Sequence, residues 1–230
     1  MHRDFVDGIF SSVSKRYDLT NDLMSAGIHR RWKRNFVKSI GLIPNQLVLD
    51  MAAGTGDITL RLLETDKSPD VIMCDRNPEM LQIAKDRLLD NGYLSVKIVR
   101  AEAAELPFED NTFDHYVVAF GVRNFSDIQK SISEAHRVLR TGGKFSCLEF
   151  SNVDNSYINM IYGYYSRNFI PWIGEKVTQN RDAYVYLVES IKNFPDAESF
   201  KQILSDTGFT RVKYEKATFG VVAIHTALKV

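Results

Sequence analysis

Cysteine, proline and long apolar runs are scarce in this chain of 230 residues, and each scarcity removes a class of protein. The two cysteines, Cys74 and Cys147, lie far apart and lack the paired spacing of metal ligands, so neither a zinc centre nor a disulfide framework is expected, and no metal is assigned. No apolar stretch reaches the roughly 18 residues of a membrane span, and Met1-His2-Arg3-Asp4 carries charge where a secretion signal places its apolar segment. A cytoplasmic protein is the expectation. Net charge is missing as well: 29 basic residues balance 29 acidic ones, which excludes the uniformly basic surface needed for sequence-independent nucleic-acid binding. Repeats, low-complexity tracts and Gly/Ser linkers are absent, and with 44% hydrophobic and 25% charged residues the composition is that of one globular domain over residues 1–230.

What is present is uneven. Residues 1–46 hold 8 Lys/Arg against 4 Asp/Glu, residues 47–126 hold 8 against 14, and residues 127–230 hold 13 against 11. The acidic middle repels a phosphate-rich ligand and attracts a cationic one. Helical periodicity through Phe5, Ile9, Val13, Ile28, Trp32, Phe36, Val37 and Ile40 predicts a helical cap over 1–46. From 47 to 150 short apolar runs alternate with amphipathic segments: strands at 47–51, 71–74, 96–99, 115–120 and 145–150, helices at 58–63, 78–89 and 128–139. That alternation predicts an α/β fold with a parallel sheet and helices on both faces. Gly142-Gly143 reads as the end of the third of these helices. Residues 151–207 read as a helical insertion rich in aromatics, with six between Tyr157 and Trp172. Residues 208–230 read as a closing antiparallel pair, 211–216 with 221–228.

The strongest local signal is Leu47-Val-Leu-Asp50-Met-Ala-Ala-Gly54-Thr55-Gly56-Asp57, a buried-type strand turning through two glycines into a helix. Glycines there let a ligand approach the backbone. A dinucleotide fingerprint would have a third glycine where this chain has Thr59, and Asp57 occupies the helix N-terminus that a pyrophosphate needs. S-adenosylmethionine carries a sulfonium, an ammonium and no phosphate, so Asp50 and Asp57 favour it. The same turn also reads as an ordinary strand-to-helix junction in which Asp57 complements the helix dipole. Asp75 ends the second strand at the distance from the loop where an acid meets ribose hydroxyls, and it equally fits the cap of the helix from Pro78. Glu102, after the third strand, is placed to accept from an adenine amino group. All three loops fall at carboxyl ends of strands, where open α/β sheets bind ligands.

These residues resemble the class I S-adenosylmethionine-dependent methyltransferases, and more closely the ubiquinone/menaquinone-pathway C-methyltransferases that act on a polyprenylated quinol ring. The resemblance runs through Ser14-Lys-Arg-Tyr17-Asp18, Gly27-Ile-His29-Arg-Arg-Trp32, Gly54–Asp57, Asp75, Leu106-Pro-Phe, Asn111-Thr-Phe-Asp, Phe120-Gly121-Val-Arg123-Asn124, Arg137–Gly143, Leu148-Glu149-Phe-Ser151 and Gly220–His225. It implies a Rossmann-like, mostly parallel seven-stranded sheet with an antiparallel closing strand, S-adenosyl-L-methionine as cofactor, and cofactor contacts at Thr55, Asp75, Glu102, Ala103 and Ala119 beside Asp50, Gly54, Gly56 and Asp57. Glu102 stands where the family more often has Asn, Ala119 where Ser is frequent, and Ala53 where Gly is usual.

The implied reaction is C-methylation of a reduced lipid quinone precursor, demethylmenaquinol and/or 2-methoxy-6-polyprenyl-1,4-benzoquinol. Arg123 and Asn124, directly after the fourth strand, would stabilise a phenolate, with Tyr17, and less firmly His225, bordering the acceptor. Arg123-Asn124 also reads as a salt bridge and a turn, and His225 as a structural histidine. The aromatics of 157–172 suit a prenyl tail or a core-facing helix. Arg30, Arg31, Lys33, Arg34 and Lys38 around Trp32 suit an anionic lipid surface or a solvated helix face. The implied partners are the quinol, the inner membrane face, and a homodimer mate or other quinone-biosynthesis enzymes. Alternatives are methylation of another small molecule or a phospholipid, and a non-catalytic cofactor- or lipid-binding subunit.

Overall fold

The computed structural model describes residues 27–151 and 181–230, with Gly8, Asp22 and Ser25 besides; the side chains of 181–184 are outside the description. In chain order the described elements are α1 (Ile28–Ile40), β1 (Leu47–Met51), α2 (Asp57–Leu63), β2 (Asp70–Asp75), α3 (Pro78–Asp90), β3 (Lys97–Arg100), β4 (Phe113–Ala119), α4 (Ile128–Val138), β5 (Leu139–Phe150), α5 (Arg181–Asn193), α6 (Ala197–Asp206), β6 (Thr210–Ala217) and β7 (Val222–Leu228). One-turn 3-10 segments lie at Val122–Asn124 and Thr218–Gly220.

The seven strands form one sheet in the order β3-β2-β1-β4-β5-β7-β6. The first five run parallel, and β7 is antiparallel to both β5 and β6. The chain builds outward from β1 in one direction and from β4 in the other. Strand order therefore reverses between β1 and β4, and their carboxyl ends frame the crevice where such sheets bind ligands.

Both faces are covered. Trp32 and Phe36 of α1 and Ile58 and Leu62 of α2 pack on Val48, Val71, Val117 and Leu148. Leu81, Ala84 and Leu88 of α3 pack on Met73. Opposite them, Ile132 of α4 and Phe200 and Leu204 of α6 cover Leu49, Tyr116, Val118 and Phe145. The central strands are buried on both sides, which is why their sequences are continuous apolar runs and do not alternate. Cys74 and Cys147 are free and buried in this core. Burial pushes the Cys74 thiol up to about 12, so neither a metal nor a redox role suits it.

Helix starts follow local chemistry. The Asn77 side chain accepts from the backbone N–H groups of Glu79 (2.9 Å) and Met80 (3.1 Å), with Pro78 in the first turn. Asp127 and Asp196 cap α4 and α6 in the same way. One expected boundary is wrong. Gly142-Gly143 does not end a helix: α4 stops at Val138 and Leu139 passes straight into β5, pairing with Phe113. The register between β4 and β5 shifts there, Gly142 takes φ 82°, and a Cβ on Gly143 would lie 2.7 Å from the Arg140 carbonyl oxygen. The two glycines serve a strand irregularity.

Candidate active site

The loop from Met51 to Asp57 is fastened to its neighbours by backbone bonds. Ala53 N–H donates to the Cys74 carbonyl at 3.1 Å, and Gly54 N–H to the Asp75 carboxylate at 2.8 Å. Both glycines have positive φ but different duties. A Cβ on Gly56 would press on the Ala84 methyl at 3.2 Å, so Gly56 permits α2 to sit close to α3. A Cβ on Gly54 would meet no described residue within 4 Å, so among the described residues Gly54 faces open space above the loop. Arg87 of α3 donates to the Thr55 carbonyl at 3.1 Å and to its hydroxyl at 3.0 Å, fixing the loop from behind.

Asp75 stands beside that open space. Its second oxygen accepts from Asn77 N–H at 2.8 Å, and because Asn77 itself caps α3, Asp75 is not the cap. With backbone donors at Gly54, Asn77 and Arg76, the carboxylate still retains acceptor capacity for a ligand hydroxyl. Burial raises the acid above the ordinary range, while the backbone donors oppose the shift. Glu102 is also at this end, half-buried, bonded to Arg76 at 3.2 Å and to the Ser126 hydroxyl at 3.2 Å. Ala103 turns its methyl into the core, and Ala119 is the half-buried last residue of β4.

Two acids expected to draw a cation are otherwise engaged. Asp50 lies beneath the loop, 1% exposed, accepting from the Thr59 hydroxyl at 2.6 Å; burial pushes its carboxyl up to about 7. Asp57 faces α1 instead of the crevice, pairing with Lys33 at 2.7 Å and Arg61 at 2.9 Å. Burial alone would raise Asp57, but these two cations outweigh it and hold the acid below its usual range. The attraction expected from Asp57 is therefore cancelled locally. Lys33 is correspondingly 7% exposed and no part of a basic surface.

Across the crevice, Phe120 leaves β4 with φ 57°. A Cβ on Gly121 would lie 2.6 Å from the Ala52 methyl, so glycine alone allows the β1 and β4 loops to touch. Arg123 then turns inward. Its guanidinium donates to Glu149 at 2.8 Å and to the Phe120 carbonyl, with side chains 4% and 1% exposed, while its Nε–H has no partner among the described residues. Glu149 also accepts from the backbone N–H groups of Phe150 (2.9 Å) and Arg123 (3.3 Å). Asn124 Oδ1 accepts from the Tyr186 hydroxyl of α5 at 3.0 Å. Burial raises the Tyr186 phenol, with the nearby Arg123 and Arg76 charges opposing it.

Phe120, Phe150 and the buried Trp32 form the wall behind Arg123, with ring centroids 4.8–6.4 Å apart. The guanidinium carbon lies 5.3 Å from the Phe150 ring. His225 is 2% exposed inside β7, hydrogen-bonded to the Ala197 carbonyl at 2.9 Å and packed on Phe200 and Tyr214, the setting of a structural histidine. Tyr17 and the aromatics of 157–172 lie outside the described residues. Three participants were not anticipated as such: Glu149, Tyr186 and Lys33. For Lys33 a signal exists, since Lys33, Phe36, Val37 and Ile40 share one helical face.

The chain matches the ubiE/COQ5 methyltransferase family over residues 1–229. It is 46% identical over 230 aligned residues, covering 98% of itself and 92% of the relative, to the ubiquinone/menaquinone biosynthesis C-methyltransferase UbiE of Rickettsia felis. It is 43% identical, over 97% of itself and 83% of the relative, to the mitochondrial 2-methoxy-6-polyprenyl-1,4-benzoquinol methylase of Oryza sativa subsp. japonica. Among solved structures it resembles a SAM-dependent methyltransferase from Aquifex aeolicus (TM-score 0.63, 20% identity, 86% of this chain and 89% of that one). It also resembles phosphoethanolamine N-methyltransferase 2 of Haemonchus contortus bound to S-adenosyl-L-methionine (TM-score 0.69, 16% identity, all of this chain and 60% of that one).

Proposed function

The chain belongs to the ubiE/COQ5 methyltransferase family, and from that premise we propose that it transfers a methyl group from S-adenosyl-L-methionine to a ring carbon of a polyprenylated quinol, demethylmenaquinol and/or 2-methoxy-6-polyprenyl-1,4-benzoquinol. The relatives' names support the quinol. The observation that carries the reading is the meeting, at the β1/β4 reversal, of an open glycine loop, bonded to Asp75 at the end of β2, with the Arg123-Asn124 turn.

The residues fit the cofactor. Open space over Gly54 leaves room for its backbone approach and Asp75 offers acceptor capacity to ribose hydroxyls; in this reading Glu102, the backbone of the core-facing Ala103 and Ala119 would meet the remainder. When bound, S-adenosyl-L-methionine supplies an electrophilic methyl on a cationic sulfur. Attack from a ring carbon needs an electron-rich ring, which loss of a phenolic proton provides. The Asn124 carbonyl is taken by Tyr186, which leaves the amide N–H groups as the ones to donate to a phenolate in this reading. Arg123, held by Glu149 in a buried pair without net charge, keeps that turn rigid, so the stabilisation expected from its charge is largely cancelled by its partner. Overall the ring exchanges C–H for C–CH3, and one proton is released. The quinol tail favours a protein that works against the inner membrane face, and no described helix is long and apolar enough to cross it.

Incubation with methyl-labelled S-adenosyl-L-methionine and matched reduced and oxidised prenylated quinones tests the reading. Label on the reduced ring alone supports it. Cofactor binding with no label on any quinol, beside a working control enzyme, refutes it.

A further inference from the structure

We propose that the crevice rim made by the Thr218–Gly220 turn and the N-terminal half of α1 docks on an anionic lipid bilayer, with Phe219 as the inserted side chain. This rests on the quinol reading above for its purpose, not for its geometry. Phe219 is 74% exposed and sits at φ 57°, next to Thr218 at φ 52°. A large aromatic held in the left-handed region and pointed at water contributes nothing to folding, and such outliers mark functional positions.

The turn has a defined place. Val222 pairs with Phe150 and Ser151 N–H donates to the Val221 carbonyl at 3.0 Å, so Phe219 lies at the carboxyl end of β5. That is the edge of the sheet on which Asp75 and Arg123 stand. The turn is also tied to α1, because the Trp32 indole N–H donates to the Thr218 hydroxyl at 2.8 Å. Trp32 is buried and spent on this bond, which leaves Phe219 as the exposed aromatic of the rim among the described residues.

Charge specifies the partner. Burying Trp32, Lys33, Phe36 and Val37 turns Arg30, Arg31, Arg34 and Lys38 outward. Arg30 is paired with Asp22, whereas Arg31 and Arg34, in the N-terminal half of α1, make no ion pair among the described residues. Glu215, exposed in β6, is the opposing acid beside Lys38 and Lys216 in the adjoining groove. One protruding ring beside unpaired cations suits a headgroup layer, where the ring enters the acyl boundary and the cations stay at the phosphates. In this orientation the crevice opens toward the lipid, from which a prenyl tail need not leave fully.

The test is co-sedimentation of the full chain with vesicles of phosphatidylglycerol and phosphatidylcholine, against phosphatidylcholine alone. Phe219→Ser should weaken partitioning by roughly tenfold. The double variant Arg31→Glu/Arg34→Glu should remove the preference for phosphatidylglycerol. Both should keep the wild-type melting temperature and wild-type turnover of a short-chain, water-soluble quinol, while losing turnover of a long-chain quinol in vesicles. Wild-type protein that ignores vesicles, variants that bind like wild type, or a dimer that Phe219→Ser disrupts would each overturn the proposal. Vesicle binding that responds as stated, with no methylation of the short-chain quinol, would leave this surface standing and sink the quinol reading instead.

Discussion

Arg123 and Glu149, 26 positions apart in sequence, form an ion pair at 2.8 Å that is almost wholly shut off from water, at the end of β4 and β5. Burying two charges is costly, and removing one partner of such a pair costs about 3–5 kcal/mol. Glu149→Gln keeps the shape and the acceptor for Phe150 N–H but leaves the guanidinium uncompensated. The expected outcome is a fold weakened by about 3–5 kcal/mol, a kcat roughly tenfold lower as the turn loosens, and an unchanged affinity for S-adenosyl-L-methionine. Urea unfolding, steady-state kinetics and calorimetric titration separate the three.

Tyr186→Phe removes one hydroxyl and frees Asn124 to rotate. The loss in stability should stay near 1 kcal/mol, as for a single hydrogen bond. Turnover should fall by roughly tenfold if the amide must be aimed. Asn124→Ala should be no better, and the double variant no worse than Asn124→Ala alone, because the two act as a unit.

Gly121→Ala places a methyl 2.6 Å from the Ala52 methyl and must part the two loops that frame the crevice. We expect a stability loss of about 1–3 kcal/mol, typical of overpacking, and a clear rise in the dissociation constant for the cofactor. Gly142→Ala, with open space around it and only a positive φ to strain, is the control: about 1 kcal/mol, with cofactor binding unchanged.

His115 and His225 are both buried, and burial pushes each down to about 4. The unfolded chain, with ordinary imidazoles, therefore takes up these protons first as pH falls. Their effect on stability is neutral above about pH 6.5 and grows unfavourable down to pH 4, approaching about 3 kcal/mol each. Asp50, pushed up to about 7, changes stability in the opposite sense over the same range, so the histidine part is read from the difference between wild type and a histidine variant across about pH 7.5 to 4.5. His225→Phe should flatten the slope even if it lowers the plateau.

Much of this was legible in the chain. The strand at 47–51 needed no revision and the helix from Pro78 only its last residue, because buried parallel strands are continuous apolar runs and Asn77-Pro78 is a start signal with a local mechanism. The glycine loop and Asp75 were likewise local. Gly142-Gly143 was ambiguous, since glycine follows helices and also relieves strand bulges, and only the pairing of Leu139 with Phe113 decides. The pairing of Asp57 with Lys33 and of Arg123 with Glu149 was hidden, because a charge in sequence carries no record of its partner. A closer look at spacing would have withdrawn Lys33 from the basic surface, as it shares a face with Phe36, Val37 and Ile40.

The most direct test of the central claim is the position of the new bond. With 13C-methyl S-adenosyl-L-methionine and a reduced prenylated quinol, the product spectrum distinguishes a methyl on a ring carbon from a methoxy group. The account predicts an aryl-methyl signal, formed from the quinol and not from the quinone. A methoxy signal, or label on a soluble amine or a phospholipid headgroup with the quinol untouched, would contradict it.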